Sequence, residues 1–365
     1  MKKEVKVGLT SQLFANLALF TPHLFIPQLA DSFGATKFEI GLLSTFFSAT
    51  IFLSSWFFGR IADRIGRRRI IIIGFLASSI AFTLGYFANS YTELLLIRIL
   101  GGATAGIYPG ALTAYIYENK GTMGRFSSFG AIGSAIAQYI SGVVATLLGL
   151  PHLFIISGIS FFISLIFIAT GIKKEEYIAI NIPLFPINII KKNKHIYIPL
   201  FLRHMGATGI WAFWVLYLGQ IGANNYWKGI LFTFNFATQF LVMYFIMDRI
   251  SGKKSIGWGL ILSAAIFLYF PIVPNYLWII PAMIATGFAW SFLFTGSLKE
   301  ITEKNEERAT ASGLIQSSIS LGNIFGPLVA GIIVTLTGTY KGIMYLACLL
   351  TIIAYIYYSV QIKKA

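Results

Sequence analysis

The segment Gly59-Arg60-Ile61-Ala62-Asp63-Arg64-Ile65-Gly66-Arg67-Arg68-Arg69 decides how the rest of the chain is read. One acid sits among five arginines, and a long apolar run flanks the segment on each side. A reduced copy, Asp248-Arg249-Ile250-Ser251-Gly252-Lys253-Lys254, follows at an offset of 185 residues. A basic turn between two apolar runs of membrane length, repeated once, is the pattern of a polytopic membrane protein with an internal repeat.

Composition agrees. The 365 residues are 56% hydrophobic and 11% charged, with a mean hydropathy of +0.76. A water-soluble domain cannot hide that much apolar side chain. Twelve runs are long enough to cross a core of roughly 30 Å at about 1.5 Å per residue. They are 8–31, 38–58, 69–88, 92–117, 125–149, 152–172, 196–221, 226–247, 255–274, 276–300, 308–336 and 340–360. The runs are continuous rather than alternating, which argues against membrane strands. The expected fold is all-α with twelve transmembrane helices.

The formal charge of +15 follows the loops. Lys2, Lys3 and Lys6 precede the first span, and Arg60, Arg64, Arg67, Arg68 and Arg69 fill the second loop. Later even-numbered loops and the carboxyl terminus hold most of the rest, and the odd-numbered loops hold only Lys37, Lys228 and Lys341. This asymmetry predicts a multi-pass protein of the cell membrane with both termini cytoplasmic. The basic excess therefore sets topology, and no nucleic-acid partner is expected. The first run follows a basic start, as a signal peptide would. It is too long for one and lacks a small-residue cleavage site, so it reads as a retained span. Cys348 is the single cysteine, so no intrachain disulfide or cysteine metal site is expected, and no cofactor or metal is implied.

Residues 173–195 form the longest polar stretch and divide the spans six and six, as 1–172 and 196–365. Within it, 177–190 is apolar and contains Pro183 and Pro186, which fits either an interfacial segment or a plain linker. The division matches a repeat in which Asp63 pairs with Asp248, Gly102 with Gly287 and Glu118 with Glu303, all at one offset.

The basic turn, its second copy and the six-plus-six repeat resemble the major facilitator superfamily along the whole chain. That resemblance implies two pseudo-symmetric six-helix bundles related as parallel repeats, with a solute cavity lined mainly by helices 1, 4, 7 and 10. It also implies a cytoplasmic latch made from Gly59, Asp63, Arg64, Gly66, Arg67 and Arg68, with Asp248 and Arg249 in the second copy. The second copy lacks the leading glycine. The stretch Leu95 to Gly106 around Arg98 resembles the family's helix 4 arginine motif, which implies a place at the cavity and in proton coupling. Gly322, Gly326, Pro327 and Gly331 in span 11 suit close helix packing and a kink. The corresponding glycines of span 5, Gly130, Gly133 and Gly142, have no proline. Drug-antiporter branches usually carry Gly-Pro there, so this is a departure.

Ionisable side chains inside a bilayer cost roughly 2.5–3.5 kcal/mol for a central arginine and are functional candidates for that reason. Here they are His23, Arg98, Arg203 and His204, while Asp31, Glu39, Glu93, Glu118 and Glu300 lie at span ends. Counting about 1.5 Å per residue puts Arg98 roughly 9 Å and His23 roughly 12 Å below the outer surface, near one level. The pair is expected to form a pH-sensitive element. Arg203 falls roughly 10 Å above the cytoplasmic surface, about 10 Å from Arg98 along the normal, too far for both to hold one small carboxylate. It is also long enough to snorkel to the interface. Tyr108, Trp211, Trp214 and Trp290 are candidates for stacking on a substrate, with packing as their ordinary role. Gln12, Asn16, Gln138, Asn235, Gln239, Gln316 and Asn323 need partners that lipid cannot provide.

These features predict a secondary transporter, antiporter or symporter, that moves a small organic solute by alternating access. Proton-linked efflux of amphipathic compounds is the leading expectation, with an organic-anion transporter, facilitator or exchanger as the alternative. An integral-membrane transferase would need acids or histidines clustered at a membrane mouth. Glu300, Glu303, Glu306 and Glu307 instead alternate with Lys299, Lys304 and Arg308, as on a solvated helix end. A receptor gives no reason for the repeat. The expectation is therefore a non-enzyme, monomeric in the lipid bilayer, with a small molecule and protons as partners.

Overall fold

The computed structural model describes residues 3–119, 121, 123–171, 187–305 and 308–364. The side chains of Gly59, Arg60, Asp63, Arg64 and Asp248 lie outside what it describes, as do residues 172–186, which include most of the apolar stretch 177–190.

All regular structure among the described residues is helical. The first apolar run forms two helices, α1 (Lys3–His23) and α2 (Ile26–Ser32). Pro27 explains the break: a proline has no N–H to give the carbonyl four residues back, and its ring crowds that carbonyl, here His23. The fourth run repeats the device as α5 (Tyr91–Ala105) and α6 (Pro109–Glu118), with Pro109 four residues beyond Ala105. Each of the two runs that carry His23 and Arg98 is thus interrupted.

Between them lie α3 (Lys37–Ile65) and α4 (Arg67–Leu84). A capping box starts α3: Thr36 Oγ1 accepts from the Glu39 amide at 3.3 Å, and Glu39 Oε2 accepts from the Thr36 amide at 2.7 Å. The basic segment is not a loop. Helix α3 continues through it to Ile65, and Gly66 alone makes the turn at φ 97°, a conformation costly for any residue with a Cβ. The first six runs end with α7 (Met123–Leu147) and α8 (His152–Gly171).

Helix α9 (Ile187–Gln220) is 34 residues long, about 51 Å at 1.5 Å per residue, so it exceeds the span and includes the basic stretch before residue 196. Then come α10 (Asn225–Phe245), α11 (Gly252–Tyr269), α12 (Ile279–Lys304), α13 (Arg308–Thr337), which runs on through Pro327, and α14 (Lys341–Lys364). Ten described helical segments are long and apolar enough to cross a membrane. Helices α9 and α10 complete twelve. Their length suffices, but Arg203 and His204 in one and Asn235 and Gln239 in the other dilute their apolar character.

By contact the chain groups into two units. The first holds residues 1–35, 46–181 and 224–237, and the second holds 36–45, 182–223 and 238–365. This grouping sorts segments by packing, whereas the repeat sorts them by sequence. In the first unit α1 lies against α7 and α8, and α4 against α8, around Phe75, Tyr108, Tyr115 and Phe161. In the second, α9 packs on α13 and α14, and α11 on α12 and α14, around Leu200, Leu260, Leu293 and Ile315.

Candidate functional site

Glycines set the geometry around Arg98. A Cβ on Gly102 would run into the Phe47 carbonyl and the Thr50 hydroxyl, and one on Gly106 would meet the Ile51 carbonyl oxygen at 2.6 Å. Helix α5 can therefore lie directly on α3, where Ser54 and Ser55 donate to the carbonyls of Ala103 and Gly106 at 2.5 and 3.0 Å. That approach sets the Phe47 ring under Arg98, with 3.5 Å from Cζ to the ring centre. His23 lies 6.1 Å from the same ring and 5.9 Å from Phe20. Arg98 is 2% exposed, and its Nε and Nη2 have no hydrogen-bond partner among the described residues. His23 and Arg98 thus share Phe47 as an aromatic neighbour.

The second unit holds another cationic cluster. Arg203 on α9, also 2% exposed, reaches across and donates from Nε to Ser263 Oγ on α11 at 2.9 Å. Its Cζ is 5.3 Å from the centres of both Phe267 and Trp290. The next residue, His204, donates from Nε2 to Asn323 Oδ1 at 3.0 Å and lies 5.0 Å from Trp290, which stacks on Phe294 at 5.3 Å. Helix α13 approaches closely here because Gly322 faces His204 and Met205, and Thr208 donates to the Gly322 carbonyl at 2.8 Å. A Cβ on Gly326 would strike Thr208, and Pro327 and Gly331 face Gly41 and the start of α3.

The other aromatic candidates are placed differently. Tyr108 is packed against Phe75 at 4.4 Å and Phe161 at 6.1 Å, and Trp214 is fully buried 4.5 Å from Phe270 with Trp211 at 5.3 Å. Trp290, His204 and His23 keep part of their surface open.

In the basic segment, Arg67 pairs with Glu118, tying α4 to α6, and Arg68 donates to the Ala169 carbonyl on α8 at 2.8 Å. Arg249 is exposed at the end of a short turn. No group of three or more His, Cys, Asp or Glu that could hold a metal occurs among the described residues.

Phe47 and Ser263 are partners that sequence reasoning missed, since nothing in their local pattern sets them apart. Lys228 is another. It is 7% exposed and donates to Gln28 Oε1 at 2.7 Å and Asn225 Oδ1 at 3.2 Å, and only its place beside a predicted loop hid its burial.

Comparison with known proteins completes the picture. The Major Facilitator Superfamily model matches residues 8–295 and 198–363, and the chain belongs to that family. It is a multi-pass secondary transporter with the twelve helices of that fold. The quinolone resistance protein NorA of Staphylococcus aureus (strain MRSA252) is 26% identical over 339 residues, covering 87% of this chain and 86% of NorA. Two solved structures share the fold. The nucleoside transporter NupG has a TM-score of 0.78 at 14% identity and full coverage of both chains. The human organic anion transporter MFSD10 has 0.76 at 16%, over 98% of this chain and 99% of that one.

Proposed function

We propose that this transporter exports amphipathic organic compounds by alternating access, coupled to protons, and performs no covalent chemistry. The single observation that carries the reading is its similarity to a quinolone resistance protein along most of both chains. The sites fit such cargo. Arg203 beside the partly open Trp290 joins a cation to an aromatic face, a surface for flat, partly polar molecules. The acids Asp31, Glu39, Glu93, Glu118 and Glu300 lie at helix ends, which leaves His23 and His204 as the titratable side chains well inside the spans.

The protein works in the cell membrane as a monomer of two repeats, 1–172 and 196–365, with both termini cytoplasmic. The Asp63 turn and its Asp248 copy act there as a latch. The test is uptake of a quinolone into proteoliposomes with and without an imposed pH gradient. Gradient-dependent accumulation is expected. Equal, non-accumulative movement under both conditions would replace coupled export with facilitated diffusion.

A further inference from the structure

Arg203 carries more donors than its described neighbours accept. A buried charge is costly unless it is paired, and a guanidinium carries five donors in a fixed fork. Among the described residues Arg203 uses one of them, Nε to Ser263, and its buried Nη2 has no partner. Among the described residues no carboxylate pairs with it. Its neighbour His204 donates from Nε2 to Asn323, so its buried Nδ1 is an acceptor without a partner and the donor to an anion here is Arg203.

The surroundings say what would fit. Arg203 is enclosed, but His204, Trp290 and Asn323 keep part of their surface open, so a ligand for the guanidinium would have to approach from their side. Trp290, already stacked on Phe294 with 14° between the planes, offers a flat apolar wall on that approach. A cation would meet Arg203 as a like charge with no acid among the described residues paired to offset it. A neutral compound would leave the open donor facing weaker acceptors than an anion supplies.

We infer that the cluster of Arg203, His204, Trp290 and Asn323 in the second unit binds the anionic group of a flat organic solute, the carboxylate on Arg203 and the ring against Trp290. This rests on the transport reading above and adds the charge of the cargo to it. A purely structural role would make the Ser263 bond a tie between α9 and α11 and nothing more.

The test uses the full-length chain in nanodiscs with radiolabelled 2-naphthoate and its uncharged analogue 2-naphthamide. The naphthoate is expected to bind about tenfold more tightly, the scale of one charge-assisted hydrogen bond. Arg203→Gln should abolish that preference, and Arg203→Lys, which keeps the charge, should retain part of it. Both variants must elute as monodisperse protein, and the lysine variant covers the case in which the glutamine variant does not fold. Equal binding of acid and amide, no binding of naphthoate, or a preference that survives Arg203→Gln overturns the inference. A preference lost only in Arg98→Gln moves the receptor to the first unit and overturns it as well. Export of a lipophilic cation dye is measured on the same protein. Gradient-driven dye export without a naphthoate preference removes this inference alone and leaves the transporter reading standing.

Discussion

Arg98 lays its guanidinium on the ring of Phe47, 3.5 Å from Cζ to the ring centre, although the two residues sit on different helices. The contact exists because Gly102 lets α5 press on the α3 backbone at Phe47. Two variants separate the packing from the charge. Gly102→Ala inserts a methyl group against the Phe47 carbonyl and should cost about 1–3 kcal/mol of stability, as overpacked sites do. Phe47→Leu keeps an apolar filler but removes the ring, and should cost about 0.5–2 kcal/mol through the lost cation–π contact. Thermal unfolding in detergent reads both, and two unchanged midpoints would mean that the α3–α5 contact is slack.

His23 shares that ring at 6.1 Å, so protonation of its imidazole would place a second positive charge beside Arg98 on the same aromatic neighbour. Transport should therefore depend on external pH in the wild type, and the dependence should flatten in His23→Gln and shift in Arg98→Lys. The measurement is uptake rate against pH for the three proteins. Superimposable profiles would leave His23 and Arg98 as packing.

Much of the fold was legible because membrane solvation leaves few choices: long apolar runs become helices, and lysines and arginines mark the loops. The breaks inside the first and fourth runs were missed, because apolarity alone draws each run as one span and Pro27 and Pro109 stand out only once the helix ends four residues before them are seen. The basic segment reads as a loop by charge and is helix by structure, because five arginines are good helix formers and only Gly66 turns the chain. The site was half legible. Depth counting brought His23 to the level of Arg98, but it could not select Phe47 from 33 phenylalanines or Ser263 as the acceptor for Arg203. Trp214 and Trp290 look alike in sequence, yet one is core and the other borders an open face, a difference decided by tertiary packing.

Asp63 is the one acid among the arginines of its segment, while Arg67 and Arg68 are engaged by Glu118 and the Ala169 carbonyl. Asp63→Asn removes the charge and keeps the shape. It should lower transport by about tenfold, the worth of one charge-assisted hydrogen bond, while membrane insertion and yield stay near wild type. Normal transport by this variant would reduce the segment to a topology signal.

Topology rests on the charge count, and Asn224 lies in the short connection between α9 and α10 on the side poor in lysine and arginine. A cysteine at that position, in a Cys348→Ser background, should react with a membrane-impermeant maleimide added to intact cells. Reaction only after the membrane is opened would invert the orientation and contradict the loop assignment on which the cytoplasmic termini depend.

The last prediction concerns His195, which lies in the basic stretch of α9 ahead of its membrane span and is half-buried. Burial holds its pKa below the ordinary 6.5 and the charge of Lys304 pushes the same way, while Glu300 and a backbone hydrogen bond at Lys192 oppose them and Lys253 adds only a smaller downward push. Glu300 is partly spent on Lys304, 2.5 Å away, so it compensates poorly. A histidine whose folded pKa is depressed binds fewer protons folded than unfolded, so stability is full above about pH 6.5 and falls as pH drops below it. The thermal midpoint in detergent should therefore fall between pH 8 and pH 5.5. In His195→Gln, which keeps a hydrogen-bonding side chain but cannot titrate, the fall should be smaller. An identical fall in both proteins would assign the acid sensitivity to other groups and leave His195 a bystander beside Lys304.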